Sequence, residues 1–125
     1  VKYEKIGKNL IGFFWIDKYK KNNYETYIIN DLKILKKVHK IFFIPTKLKV
    51  YENFINDIEI FNNNKFQFLK DSYAKKNIEV IDLTKILQNE VRNYLNKNEY
   101  LYFKDDTHIN KNGAYVIANY IKQNL

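Results

Sequence analysis

Three short apolar runs punctuate the chain: residues 10–16 (LIGFFWI), 41–44 (IFFI) and 78–81 (IEVI). Each is rich in β-branched or aromatic residues and too short for a buried helix, so each predicts a buried strand. Between the first two the apolar period changes. Tyr24, Tyr27, Ile28, Leu32, Leu35 and Val38 recur at spacings of three and four, the stripe of a helix over residues 24–40. Lysines and His39 gather at its end, where the helix dipole favours cations. Pro45 lacks a backbone donor and stops the second strand. A short helix is expected over 50–60, a loop at 62–64, and a better helix over 66–76 with Phe66, Leu69 and Tyr73 on one side. Asp82 ends the third strand and is placed to cap a helix over 84–95, whose stripe is Leu83, Ile86, Leu87, Val91 and Tyr94. The last helix, 111–124, carries Ala114, Ile117, Ala118 and Ile121.

Strands separated by helices of this length imply crossover connections and a parallel sheet covered on both faces. Working residues in such sheets lie beyond the carboxyl ends of the strands, which singles out Asp17, Thr46, Lys47 and Asp82. With 125 residues, 46% hydrophobic and 17% aromatic, the chain can fill one core, so residues 1–125 are read as a single domain.

Charge alters this picture little. The net charge is +8, but the lysines are scattered through every segment and Arg92 is the sole arginine. Nucleic-acid binding calls for clustered cations, so no nucleic-acid partner is expected. The excess of Lys, Asn, Ile and Tyr is what an AT-rich coding sequence imposes on any protein. A basic surface still supports a second function class, a non-catalytic α/β module that binds an acidic polymer. With no cysteine, disulfides, thiolate catalysis and cysteine metal sites are excluded. No apolar run approaches the ~20 residues of a membrane span. The chain opens on Val1, as a fragment or processed form would.

Candidate chemistry concentrates in residues 102–121, YFKDDTHINKNGAYVIANYI. A histidine acting as general base needs a proton affinity near neutrality and a neighbour that fixes its tautomer. Asp106 stands two residues before His108 and Asp105 three, and either carboxylate can fold back to the ring. Gly113 permits close packing where the last helix begins. The competing interpretation is a solvated acidic turn near a helix start. No third ligand stands at a diagnostic metal spacing.

The block YFKDDTHINKNGA, preceded in order by IFFIPTKLKVYENF and NIEVIDLTKIL, resembles the C-terminal half of the SGNH (GDSL-like) hydrolases, over about residues 32–125. The resemblance implies a three-layer α/β/α sandwich with a parallel, flavodoxin-like sheet, incomplete here at its N-terminus. It implies ester hydrolysis or O-acyl transfer on an acylated small molecule or polysaccharide, such as a cell-envelope polymer, without a cofactor; the compartment stays open, cell envelope and extracellular space included. His108 would be the base and Asp106 its orienting acid, with Asp105 in reserve, and Thr46 and Lys47 would line the substrate side. Ile109 stands where related branches commonly carry Trp, which puts substrate preference in doubt more than chemistry.

The nucleophile is missing. The chain's single serine, Ser72, falls inside a predicted helix with no adjacent glycine, and Thr46, Thr84 and Thr107 are no better placed for a strand-to-helix turn. No Gly-Asp-Ser occurs, and FFWIDKY at 13–19 lacks the glycine and asparagine of an oxyanion-hole strand. The expectation is a C-terminal portion of a longer hydrolase, or a permuted relative in which the Asp-His block precedes the serine.

Overall fold

The computed structural model describes residues 2–13, 31–55 and 65–125. They form a mixed α/β structure with one antiparallel and one parallel two-stranded sheet and five α-helices. Trp15, Asp17, the first half of the 24–40 stripe and the 62–64 loop lie outside the described residues. The chain divides into two compact units, Val1–Ile16, Ile44–Ile60 and Leu83–Leu125 in one, Asp17–Phe43 and Phe61–Asp82 in the other.

The first unit opens with a hairpin. β1 (Lys2–Ile6) pairs antiparallel with β2 (Asn9–Phe13), Ile6 opposite Asn9. The two-residue connection has Gly7 at φ 60°, the sign a primed hairpin turn requires at its first position. The apolar run at 10–16 was expected to be a parallel strand; as far as Phe13 it is the second strand of this hairpin instead. The turn at Gly7 brings this strand back along β1, and Ile11, Gly12 and Phe13 are all buried while Leu10 is exposed.

α2 (Lys47–Tyr51) begins earlier than the 50–60 helix expected, because Thr46 caps it by accepting a hydrogen bond from the Lys49 N–H at 3.3 Å. It tightens into a 3₁₀ turn, Glu52–Phe54, and ends at an extended Ile55. α4 (Thr84–Leu95) buries Leu83, Leu87 and Val91, a four-residue repeat along one face. Leu83, not Asp82, occupies its N-cap, and no side chain caps it. Gln88 ties α4 to the preceding segment through the Lys49 carbonyl (3.0 Å) and the Glu52 carboxylate (3.1 Å). α5 (Lys111–Gln123) matches the expected last helix within a residue. Phe13, Tyr51 and Tyr102 form an edge-to-face series through the core, at 5.9 and 6.4 Å between centroids.

In the second unit β3 (Lys40–Phe43) pairs in parallel with β4 (Glu79–Asp82), Lys40 opposite Glu79. Tyr73 of α3 (Lys65–Ala74) packs with Ile78 and Val80, and Leu35, Val38, Ile41, Phe43, Phe66 and Leu69 complete the cluster. Of the helix expected over 24–40, the described part, from Asp31 on, is helical only over Leu32–Leu35. Asp31 is extended and accepts from the Lys33 N–H at 2.8 Å, capping a short α1 (Leu32–Leu35). An aspartate that satisfies a free helical donor starts a helix rather than continuing one. Asn77 and Asn98, both at φ 57°, reverse the chain after α3 and α4, with six-residue closures Ile78 N–H to Tyr73 O (3.0 Å) and Glu99 N–H to Tyr94 O (2.9 Å).

Candidate active site

The loop carrying the acidic pair and the histidine is closed at its base by backbone pairing. Tyr102 bridges Ile109 antiparallel, the Phe103 N–H donates to the His108 carbonyl at 3.0 Å, and the Asn110 N–H to that of Leu101 at 3.0 Å. Asn110 then starts α5, its side-chain oxygen accepting from the Asn112 and Gly113 N–H groups at 2.9 and 3.1 Å. Its amide also donates to the Tyr100 carbonyl at 2.6 Å. Gly113 is required by this junction. A β-carbon there would collide with the Leu101 carbonyl oxygen and the Ile109 side chain.

At the loop's tip Asp106 folds back over two residues. Its Oδ1 accepts the His108 N–H at 2.9 Å and lies 2.5 Å from the His108 ring Nδ1. One oxygen thus holds backbone and ring together, the local turn that aspartate favours at this spacing. The backbone donor, followed by the ring, holds the Asp106 carboxyl below the usual aspartate range. An ionised carboxylate only accepts, so Nδ1 carries a proton, and the lone pair of the ring in its neutral form is at Nε2. Nε2 has no hydrogen-bond partner among the described residues, and the ring is 79% exposed. Asp105, the reserve candidate, is exposed and does not meet the ring. His39 is also exposed, just before β3.

Lys47, expected as a substrate contact, is 3% exposed. Its Nζ donates to the Gly12 carbonyl of β2 at 2.6 Å and to the loop carbonyls of Phe103 (2.8 Å), Lys104 (2.8 Å) and Asp106 (3.0 Å). It also lies 5.2 Å from the Phe13 ring centroid. Burial pushes its pKa down to about 8, against the opposing pull of the Asp105 and Asp106 carboxylates. A lysine in the first turn of a helix opposes the helix dipole. Thr46 is exposed.

Two buried phenols support the loop from beneath. The Tyr102 hydroxyl donates to the Pro45 carbonyl at 2.8 Å, and that of Tyr51 accepts from the Leu101 N–H at 3.4 Å. Burial raises both, Tyr51 to about 12, so they act as hydrogen-bonding struts rather than acids. Ser72 lies within α3, in regular helix rather than on a turn. Among the described residues no group of three His, Cys, Asp or Glu side chains is arranged to hold a metal ion, and no helix is long and apolar enough to cross a membrane.

No family model, curated protein or solved structure matches this chain.

Proposed function

We propose that this chain supplies the acid–base half of an SGNH-type ester hydrolase or O-acyltransferase acting on acyl esters of carbohydrate or cell-envelope polymers. The observation that supports this best is the Asp106–His108 contact, which leaves Nε2 basic and open to an incoming hydroxyl. The attacking serine comes from outside these residues. Its hydroxyl proton passes to Nε2 as the Oγ–carbon bond forms, and the imidazolium returns it to the departing alcohol as the ester C–O bond breaks. Water or a sugar hydroxyl then takes the acyl group through the same base. In this reading the parallel β3–β4 pair belongs to a larger α/β/α sandwich, and Thr46 lies on the substrate side.

The test is hydrolysis of acetyl esters and acetylated polysaccharide by the polypeptide or complex that includes the serine. His108→Ala is expected to lower turnover by about 10⁴-fold or more, because such groups act as a unit. Undiminished turnover rejects the proposal. Binding to an acidic polymer that collapses steeply with salt, without any ester turnover, favours the binding module instead.

A further inference from the structure

Two exposed side chains joined by one short contact do not hold a catalytic geometry by themselves, since exposed ion pairs contribute little and order is entropically costly. Asp106 is 53% exposed and His108 79%, so packing of their own side chains does not fix them. The backbone beneath must. The loop's internal backbone-to-backbone bonds are few, Phe103 N–H to His108 O at 3.0 Å and a long Asp106 N–H to Phe103 O at 3.4 Å; beside them the His108 N–H and the Thr107 hydroxyl donate to Asp106 Oδ1 at 2.9 and 3.4 Å. On its inner side three carbonyls, from Phe103, Lys104 and Asp106, converge with that of Gly12 on a single nitrogen.

We propose that Lys47 is the positioning residue of the Asp106–His108 pair: its buried Nζ, shared among four carbonyls, sets the path of the loop and therefore the point from which both side chains project. The proposal rests on the base reading of His108 given above. The bonds from Nζ to the loop carbonyls are half-buried, and inward-facing carbonyls that lose a donor are costly, so removal of Nζ favours turning them toward water. Without Nζ, Lys104 O keeps the Gly12 N–H at 3.0 Å and Phe103 O keeps the long Asp106 N–H at 3.4 Å, whereas the Asp106 carbonyl loses the Nζ contact with neither of these donors to replace it. The contact to the Asp106 carbonyl matters most, because that residue's carboxylate is the one that meets the ring. A shift of about 1 Å in such a group costs on the order of 10²-fold in rate.

Nuclear magnetic resonance on the labelled chain tests this. The wild type is expected to show a slowly exchanging Lys47 Nζ signal coupled across hydrogen bonds to loop carbonyl carbons, and a neutral His108 ring biased to the Nδ1–H tautomer. Asp106→Ala should lose that bias, and Lys47→Met should lose it too while α5 resonances report an intact fold. In ester turnover Lys47→Met should lose about 10²-fold in kcat at nearly unchanged KM. A folded Lys47→Met chain with the wild-type tautomer overturns the positioning role and leaves the base reading standing. An Asp106→Ala chain with an unchanged tautomer overturns both. If Lys47→Met does not fold, the wild-type Nζ signal decides: fast exchange with water and no coupling to the loop overturns the proposal.

Discussion

The Lys47 Nζ lies 3.0 Å from the carbonyl oxygen of Asp106, whose side chain in turn meets the His108 ring at 2.5 Å. One residue is thus gripped on its backbone by a buried lysine and on its carboxylate by a histidine at the surface. The exposed pair is built on an interior hydrogen-bond cluster, and the two can be perturbed separately.

The acid that orients the ring is Asp106 rather than its neighbour. Asp106→Asn is expected to lower ester turnover by about 10³–10⁴-fold through loss of the correct tautomer, as when the acid of a Ser-His-Asp triad is neutralised. Asp105→Asn should stay within several-fold of wild type. Parallel kcat measurements on the two variants check this, and equal losses would refute the assignment.

Acidification should test the Asp106 contact on its own. The folded-state value of Asp106 lies below its ordinary 3.8, so its contribution is complete above 3.8 and is lost only as pH falls through the lower folded value. Following the side-chain carboxyl carbons through an acid titration should place the Asp106 midpoint below that of the unfolded chain. A midpoint at or above 3.8 contradicts the observed hydrogen bonding.

Lys47 makes an alkaline prediction of definite sign. Its folded value is about 8 against 10.5 when unfolded, so between these pH values the unfolded chain binds the extra proton. Its contribution therefore grows as pH rises from 8 to 10.5 and disappears as pH falls back through 8, by at most about 3 kcal/mol. Urea unfolding across that window should show wild type gaining on Lys47→Met, which has no such proton to lose. A constant difference would mean that Lys47 is solvated.

Gly113→Ala should destabilise the chain by about 1–3 kcal/mol, since the Leu101 carbonyl is backbone and cannot step aside as a side chain would. Thermal unfolding measures the loss. Amide resonances of Tyr102 and Ile109, which close the loop, should shift in the same variant.

Elements governed by near neighbours were legible before folding. The four-residue repeat of Leu83, Leu87 and Val91 set α4 on its buried face, and the start of α5 followed from the polar turn before Lys111. The β-branched and aromatic runs placed β3 and β4 within a residue, and their parallel pairing followed from the helices between them. The Asp106–His108 contact spans two residues, so spacing narrowed the partner to two carboxylates; the direction in which the loop folds back selected one. The helix start at Asp31 was local too, but in the sequence the apolar stripe outweighed a single capping residue.

What the sequence by itself determined about this protein is the set of elements whose geometry depends on sterics and hydrogen bonds within a few residues: the helical stripes, the β-rich runs and the short aspartate–histidine turn. Tertiary structure alone decided that the apolar run at 10–13 pairs backward in a hairpin, that Gly113 abuts Leu101, and that Lys47 is buried. The carbonyls that receive Lys47 stand 35 to 59 residues away in sequence. A lysine goes inside only where folding gathers enough acceptors around its nitrogen, and that convergence is a property of the folded backbone rather than of any local stretch of chain.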